Sequence, residues 1–171
     1  MSATASDIRR RLTQLSLELP APGPPKYAYE PVTRHGEVLY VSGQISRTPT
    51  GEILGGRLGA DAATADGIAA ARVSALNLLA RIEGAVGLEN VVQVLKLNAW
   101  VASTREAVHQ PEVVDGASQL LIAVLGDAGR HARTALAAPN LPQGALVELD
   151  ATVAVRPRPR SANRTMRGNT R

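Results

Sequence analysis

An α+β domain, with two amphipathic helices packed on one face of a mixed β-sheet, is the fold class that the sequence predicts. Two long runs carry apolar residues at every third or fourth position. Several shorter runs are rich in Val, Ile and Leu and are bounded by Gly, Pro and Asn. The two kinds of run follow one another in the order ββ(β)αβαββ, which sets helices between strands and leaves the second sheet face without cover from the chain itself. With 171 residues, 44% of them hydrophobic, one core is expected, since a domain takes roughly 100 to 200 residues.

Taken in order, residues 1–25 read as an N-terminal helix and a linker: Asp7 sits where a helix cap would, and Ile8, Leu12 and Leu15 recur at helical spacing, so a short helix is expected to dock on the body. Pro20 to Pro25 (PAPGPP) reads as an extended linker, because proline removes a donor and restricts the residue before it. The domain proper is placed at residues 26–155. Tyr27–Arg34 and Glu37–Ile45 read as two strands joined at His35-Gly36, and a short strand is expected near Glu52–Leu54. Ile68, Ala71, Ala75, Leu78, Leu79, Ile82 and Val86 mark the buried stripe of a helix capped by Asp61 or Thr64 and ended by Gly87. Residues 90–101 (NVVQVLKLNAWV) read as a central strand, apolar on both faces in places. Pro111 starts a second helix to about residue 125, and Gly126 stops it. Arg133–Ala138 is a strand candidate and Leu141–Gly144 a turn. Leu146–Val155 alternates, with Val147, Leu149, Ala151, Val153 and Val155 on one face.

Composition excludes several function classes. Cysteine is absent, so disulfide frameworks, thiolate zinc sites and cysteine nucleophiles are out, and His35, His109 and His131 lack ligand spacing; no metal site and no cofactor are expected. Aromatics are 2% of the chain, too few for a base-stacking platform. The net charge of +4 suggests nucleic acid until it is located. Residues 156–171 hold six arginines and no acid, leaving 13 cations against 15 anions, or −2, for residues 1–155. The basic character thus belongs to a tail whose Arg-Pro alternation cannot build a core and reads as disordered, and nucleic acid is not the expected partner. No apolar leader and no run of about 20 apolar residues stand out, so a cytoplasmic protein with no membrane association is expected.

Residues able to carry chemistry are few. Leu54–Gly59 (LGGRLG) matches neither a dinucleotide fingerprint nor a P-loop, and Ser42 in Val-Ser-Gly-Gln lacks the glycine that a nucleophile elbow requires. Arg133 and Glu148 are charged residues inside otherwise apolar segments. A guanidinium at such a place either pairs with a carboxylate of its own chain or holds one on a ligand, because an unpaired buried charge is costly. Glu148 is either an exposed strand carboxylate or a proton acceptor in a cleft.

The blocks Tyr40-Val41-Ser42-Gly43-Gln44-Ile45, Asn77-Leu78-Leu79, Gly87-Leu88-Glu89-Asn90-Val91-Val92, Ala132-Arg133-Thr134-Ala135 and Leu141-Pro142, followed by Val147-Glu148-Leu149-Asp150-Ala151, stand in the order found in the Rid (YjgF-like reactive intermediate deaminase) superfamily. The resemblance spans about residues 27–155, and the longer N-terminus points to a branch labelled chorismate-mutase-like or endoribonuclease-like. It implies a chorismate-mutase-like fold assembled as a homotrimer, with ligand sites in clefts between subunits. Arg133 would clamp the carboxylate of a small-molecule substrate, a 2-imino or enamino acid. Glu148 would hold the attacking water, and Ser42, Gly43 and Tyr29 would line the pocket, a role that Tyr27 could fill in place of Tyr29. Many members have a cysteine where this chain has Ala135, and aromatics where it has Gln119 and Leu121. The implied reaction is hydrolytic deamination to a 2-oxo acid and ammonia. The alternatives are a non-catalytic trimer that binds small carboxylates or a protein, and an endoribonuclease.

Overall fold

The computed structural model describes residues 4–158. The first helix, α1 (Ala5–Gln14), is capped by Thr4, one turn earlier than the expected Asp7. Thr4 Oγ1 accepts the Asp7 N–H at 3.2 Å while the Asp7 carboxylate accepts the Thr4 N–H at 3.1 Å, a reciprocal box in which Asp7 is the third helical residue. The Thr4 hydroxyl, which donates to the same carboxylate at 2.6 Å, the Thr4 N–H and Arg10 together lower the Asp7 pKa to about 2. Ile8 is buried, and Arg11 Nη1 donates to the carbonyl of Val124 at 3.1 Å, so the helix is fastened to the body as its apolar spacing implied.

The hairpin of β1 (Val32–His35) and β2 (Val38–Ile45) turns at Gly36, whose φ of 58° suits glycine. The first strand is shorter than expected: residues 27–31 form bends, with the Tyr29 N–H turned onto the Tyr27 carbonyl and Pro31 at the boundary. The strand expected near Glu52–Leu54 is reduced to a single bridge between Arg47 and Ile53. Helix α2 (Thr64–Val86) begins after Ala63, whose N–H bonds to the Asp66 carboxylate at 2.9 Å, so Asp66 does the work expected of Asp61 or Thr64. Then come β3 (Val91–Ala102), α3 (Gln110–Leu125), β4 (Ala132–Ala138) and β5 (Val147–Val155).

The five strands form one sheet in the order β1-β2-β5-β3-β4, with β3 and β4 parallel and the other neighbours antiparallel. On one face Leu97, Ala99 and Val101 of β3 and the alternate residues Val147 to Val155 of β5 are buried against Leu78, Leu79 and Ile82 of α2 and Leu120 and Leu121 of α3. The helices approach closely at Gly116, where a Cβ would stand 2.5 Å from the Ile68 carbonyl oxygen. The opposite face leaves Tyr40, Val92, Leu95 and Leu136 exposed, the apolar second face that the sequence pattern anticipated. The tail expected to be disordered lies almost wholly outside the described residues. Among those described, no helix is long and apolar enough to cross a membrane.

Candidate functional site

Register decides what the sheet brings together. Strand β1 pairs with β2 only as far as Val41, so Ser42 to Ile45 have no strand partner on that side among the described residues. On the other side β2 pairs with β5, and between the Val41–Ala151 and Gln44–Leu149 pairs it carries one residue more than its partner. This bulge at Ser42-Gly43 re-aims the chain at the strand's free end. There a cavity of about 660 Å³ opens, walled by the bulge, by Glu148 of β5, by Asn77 and Arg81 of α2, by Arg47, and by the proline-rich segment from Pro20 to Tyr29.

Each wall is fastened from within. Asn77 Nδ2 donates to the carbonyls of Ile45 and Arg47 at 3.1 and 2.9 Å, gripping the end of β2. Arg81 donates from Nη1 to the Gly23 carbonyl at 2.7 Å and from Nε to Gln44 Oε1 at 3.3 Å, tying the proline segment to the bulge. The Ser42 hydroxyl donates to the Glu30 carbonyl at 2.8 Å, and its N–H to the Pro31 carbonyl, so Ser42 holds the segment that carries Tyr29. Tyr27 and Tyr29 both line the cavity.

Glu148 is half-buried and points away from the helices, in register with Ile45, Trp100 and, through Trp100, Leu136. Its carboxylate packs onto Gly43 so tightly that a Cβ there would fall 2.1 Å from Oε1. Burial pushes its pKa up, and the charge of Asp150 adds to the effect. Among the described residues Glu148 forms no ion pair.

Arg133 lies elsewhere. It sits opposite Leu97, on the helix-packed face of the sheet and at its other edge. Three strand spacings separate β4 from β2, on the order of 14 Å. There Nη1 donates to Asp115 at 2.6 Å and to Ser118 Oγ at 3.0 Å, and Nη2 to the Pro111 carbonyl at 3.2 Å. His131 completes this cluster. Its Nδ1 lies 2.6 Å from the Gly129 carbonyl, which assigns the proton there and leaves Nε2 to accept from Ser118 Oγ at 3.0 Å. Burial lowers the His131 pKa, in keeping with a neutral ring beside a guanidinium. Arg133, His131, Ser118, Arg130 and Ile122 line a smaller hollow of about 270 Å³. Ala135 shares the Arg133 face, opposite Ala99, and lines neither cavity.

The structure therefore gathers Glu148, Ser42, Gly43 and Tyr29 at one site and sets Arg133 and Ala135 at the far edge of the same protomer. Arg47, Arg81 and Lys26 join the first group without having been singled out in the sequence. Arg81 stands on the partly exposed side of α2 and Arg47 just past the end of β2, bridged to Ile53, and no local pattern separates them from solvent-facing arginines. Among the described residues no group of three or more His, Asp or Glu is placed to hold a metal ion.

A mixed sheet with helices on one face, and a walled cavity that holds a carboxylate without an ion pair among the described residues, define an α+β domain with a candidate site. Residues 9–152 match the family model described as "YjgF/chorismate mutase-like, putative endoribonuclease", and the chain belongs to that family. Protein TCP17 of Trypanosoma cruzi is 40% identical over 156 residues, covering 90% of this chain and 98% of TCP17. The crystal structure of Atu1372 from Agrobacterium tumefaciens, a protein described as of unknown function, is also 40% identical. It superposes with a TM-score of 0.82 over 89% of this chain and 96% of its own. The same fold recurs at 23% identity in Escherichia coli TdcF, crystallised with bound serine, at a TM-score of 0.57 over 81% of this chain and 95% of TdcF.

Proposed function

We propose that this protein hydrolyses reactive 2-imino or enamino acids to 2-oxo acids and ammonia in the Glu148 cavity. The observation that carries this reading is the Glu148 carboxylate itself: half-buried, without a counter-ion, packed on Gly43, and more basic than a carboxylate in water. A basicity moved toward neutrality suits a group that first takes and then returns a proton. Glu148 orients a water, takes its proton as the oxygen adds to the imine carbon, and passes that proton to the nitrogen, which leaves a neutral carbinolamine and an ionised Glu148. The carbinolamine then collapses: Glu148 takes the hydroxyl proton and delivers it to the amine nitrogen as the C–N bond breaks, and ammonia leaves with the 2-oxo acid. Such imines hydrolyse readily in water, so holding the electrophile beside one oriented water supplies much of what catalysis requires.

The family resemblance assigns the carboxylate clamp to Arg133. Because Arg133 lies on the edge strand β4 and Glu148 on the central strand β5, with their side chains on opposite faces of the sheet, a site using both requires Arg133 from a second copy. An intersubunit trimer, with the apolar face of Tyr40, Leu95 and Leu136 turned inward, is the assembly this reading calls for. RNA cleavage, the activity in the family's description, has less support: residues 1–155 carry −2, and only Tyr27 and Tyr29 supply aromatic rings to the cavity.

The test couples the protein to a pyridoxal-phosphate dehydratase that releases 2-iminobutyrate or 2-aminoacrylate and follows ammonia. Accelerated release that is lost in Glu148→Gln is the expected result. No acceleration with a panel of imines, or full activity in Glu148→Gln, overturns the proposal. Binding of 2-oxo acids without any turnover assigns the cavity to a non-catalytic carboxylate binder instead.

A further inference from the structure

The cavity carries more positive charge than a monocarboxylate can use. Lys26, Arg47 and Arg81 line it, against the single carboxylate of Glu148. Both arginines are half-buried, and every hydrogen bond they make among the described residues goes to a neutral oxygen. Arg47 donates from Nη1 to the Gly51 carbonyl at 2.9 Å and from Nη2 to the side chain of Gln143. Arg81 spends Nε on Gln44 and Nη1 on Gly23, and its Nη2 has no partner among the described residues. Neither is in an ion pair there, whereas Arg10, Arg130 and Arg133 each have a carboxylate.

A guanidinium clamped by neutral acceptors keeps its full charge and loses little side-chain freedom when an anion arrives, which is the definition of a preorganised anion site. Lys26, Arg47 and Arg81 share the lining of the cavity with Glu148, and none of them forms an ion pair with it among the described residues. Gln143, which receives Arg47, adopts a left-handed φ of 59°, a conformation uncommon for a residue other than glycine and retained where the surroundings enforce it.

We propose that Arg81, aided by Arg47, binds a second acidic group on the substrate, making the cavity selective for imino dicarboxylic acids over imines with neutral side chains. The inference rests on the reading of the Glu148 cavity as a substrate site. The carboxylate next to the imine carbon remains with Arg133 of a second copy, and the acid at the far end of the substrate meets the cations of the cavity's own protomer.

The experiment compares binding of 2-oxoglutarate, 2-oxobutyrate and inorganic phosphate to the full-length protein by titration calorimetry. The wild type is expected to bind the diacid at least tenfold more tightly than the monoacid, a difference of about 1.4 kcal/mol. Arg81→Met should collapse that ratio toward one, Arg47→Met should lower it, and Arg81→Lys, which keeps the charge without the planar fork, should give an intermediate ratio. Thermal midpoints of the three variants check that each is folded. No diacid preference in the wild type, a ratio unchanged in both methionine variants, or phosphate binding as tight as the diacid overturns the inference. An Arg81-dependent preference in a protein that turns over no imine would sink the deaminase reading and leave this one standing. Rapid turnover of neutral-side-chain imines that is indifferent to Arg81 would do the reverse.

Discussion

Replacing Gly43 by alanine separates the position of the Glu148 carboxylate from everything else in the fold. The new methyl would lie 2.1 Å from Glu148 Oε1, 3.0 Å from Cδ and 3.3 Å from Cγ, so the carboxylate must retreat by about 1 Å to reach ordinary contact. What it meets is the end of a side chain that can swing, and Gly43 is exposed with φ outside the left-handed range, so the backbone accepts alanine without strain. Stability should therefore stay within about 1 kcal/mol of wild type, with a gain as conceivable as a loss, because alanine restricts the unfolded chain. A displacement of that size at the group holding the water costs on the order of a hundredfold in rate, about 2.7 kcal/mol of transition-state stabilisation. The assay is kcat/KM for ammonia release beside a urea unfolding curve. The double variant with Glu148→Gln should be no slower than Glu148→Gln alone, since both changes remove the same interaction. A rate within about threefold of wild type, or a loss that merely tracks unfolding, refutes the reasoning.

Four further outcomes are expected. Glu148→Gln should be neutral for stability well below pH 4.5, where the carboxyl is protonated in both states. It should become progressively stabilising as pH rises from about 4.5 towards the raised native pKa and level off above it, because ionisation is disfavoured in the fold; urea titrations from about pH 3 to 7.5 check the sign. Asp115→Asn removes one partner of a pair whose side chains are 24% and 55% exposed and should cost no more than about 1 kcal/mol, with the wild-type advantage shrinking in high salt. Gly116→Ala forces a Cβ against the backbone carbonyl of Ile68, which cannot swing aside, and should lower stability by about 3 kcal/mol in the same assay. Light scattering should return three times the chain mass, and Leu136→Lys, a charge on the uncovered sheet face, should shift the protein toward smaller species.

Much of this architecture is legible in the sequence because it rests on periodicity. The stripe from Ile68 to Val86 and the alternation of Val147 to Val155 each state which side is buried, and the structure buries those sides. Gly87 and Gly126 end their helices where they were expected to. Caps were harder, since Asp7 and Thr4 are both competent, and the choice depends on which of them leaves the other free to close the box. The first strand shrank because the tyrosine segment before Pro31 is held by Ser42 rather than by a sheet partner.

The site itself was half legible, and the division follows from what a strand pattern encodes. Alternation says that Arg133 and Ala135 share a face, and that Glu148 lies opposite Val147, but it is silent on which face of β4 continues which face of β5. That depends on register through β3, where Leu97 pairs with Arg133 and Trp100 with Glu148, an odd separation that throws the two charges to opposite sides. Strand order adds the second obstacle, since two consecutive strands in the chain, β4 and β5, are separated in the sheet by β3. Arg47 and Arg81 escaped notice for the complementary reason. No local pattern distinguishes them, and their half-buried, uncompensated state arises only when the bulge at Ser42-Gly43 and the proline segment close around them. A single protomer thus holds Glu148 and its own cations in one cavity, while Arg133 is held by Asp115 on the edge strand β4. On the proposed trimeric reading, dissociation should therefore abolish any binding that depends on Arg133 and leave any that depends on Arg81.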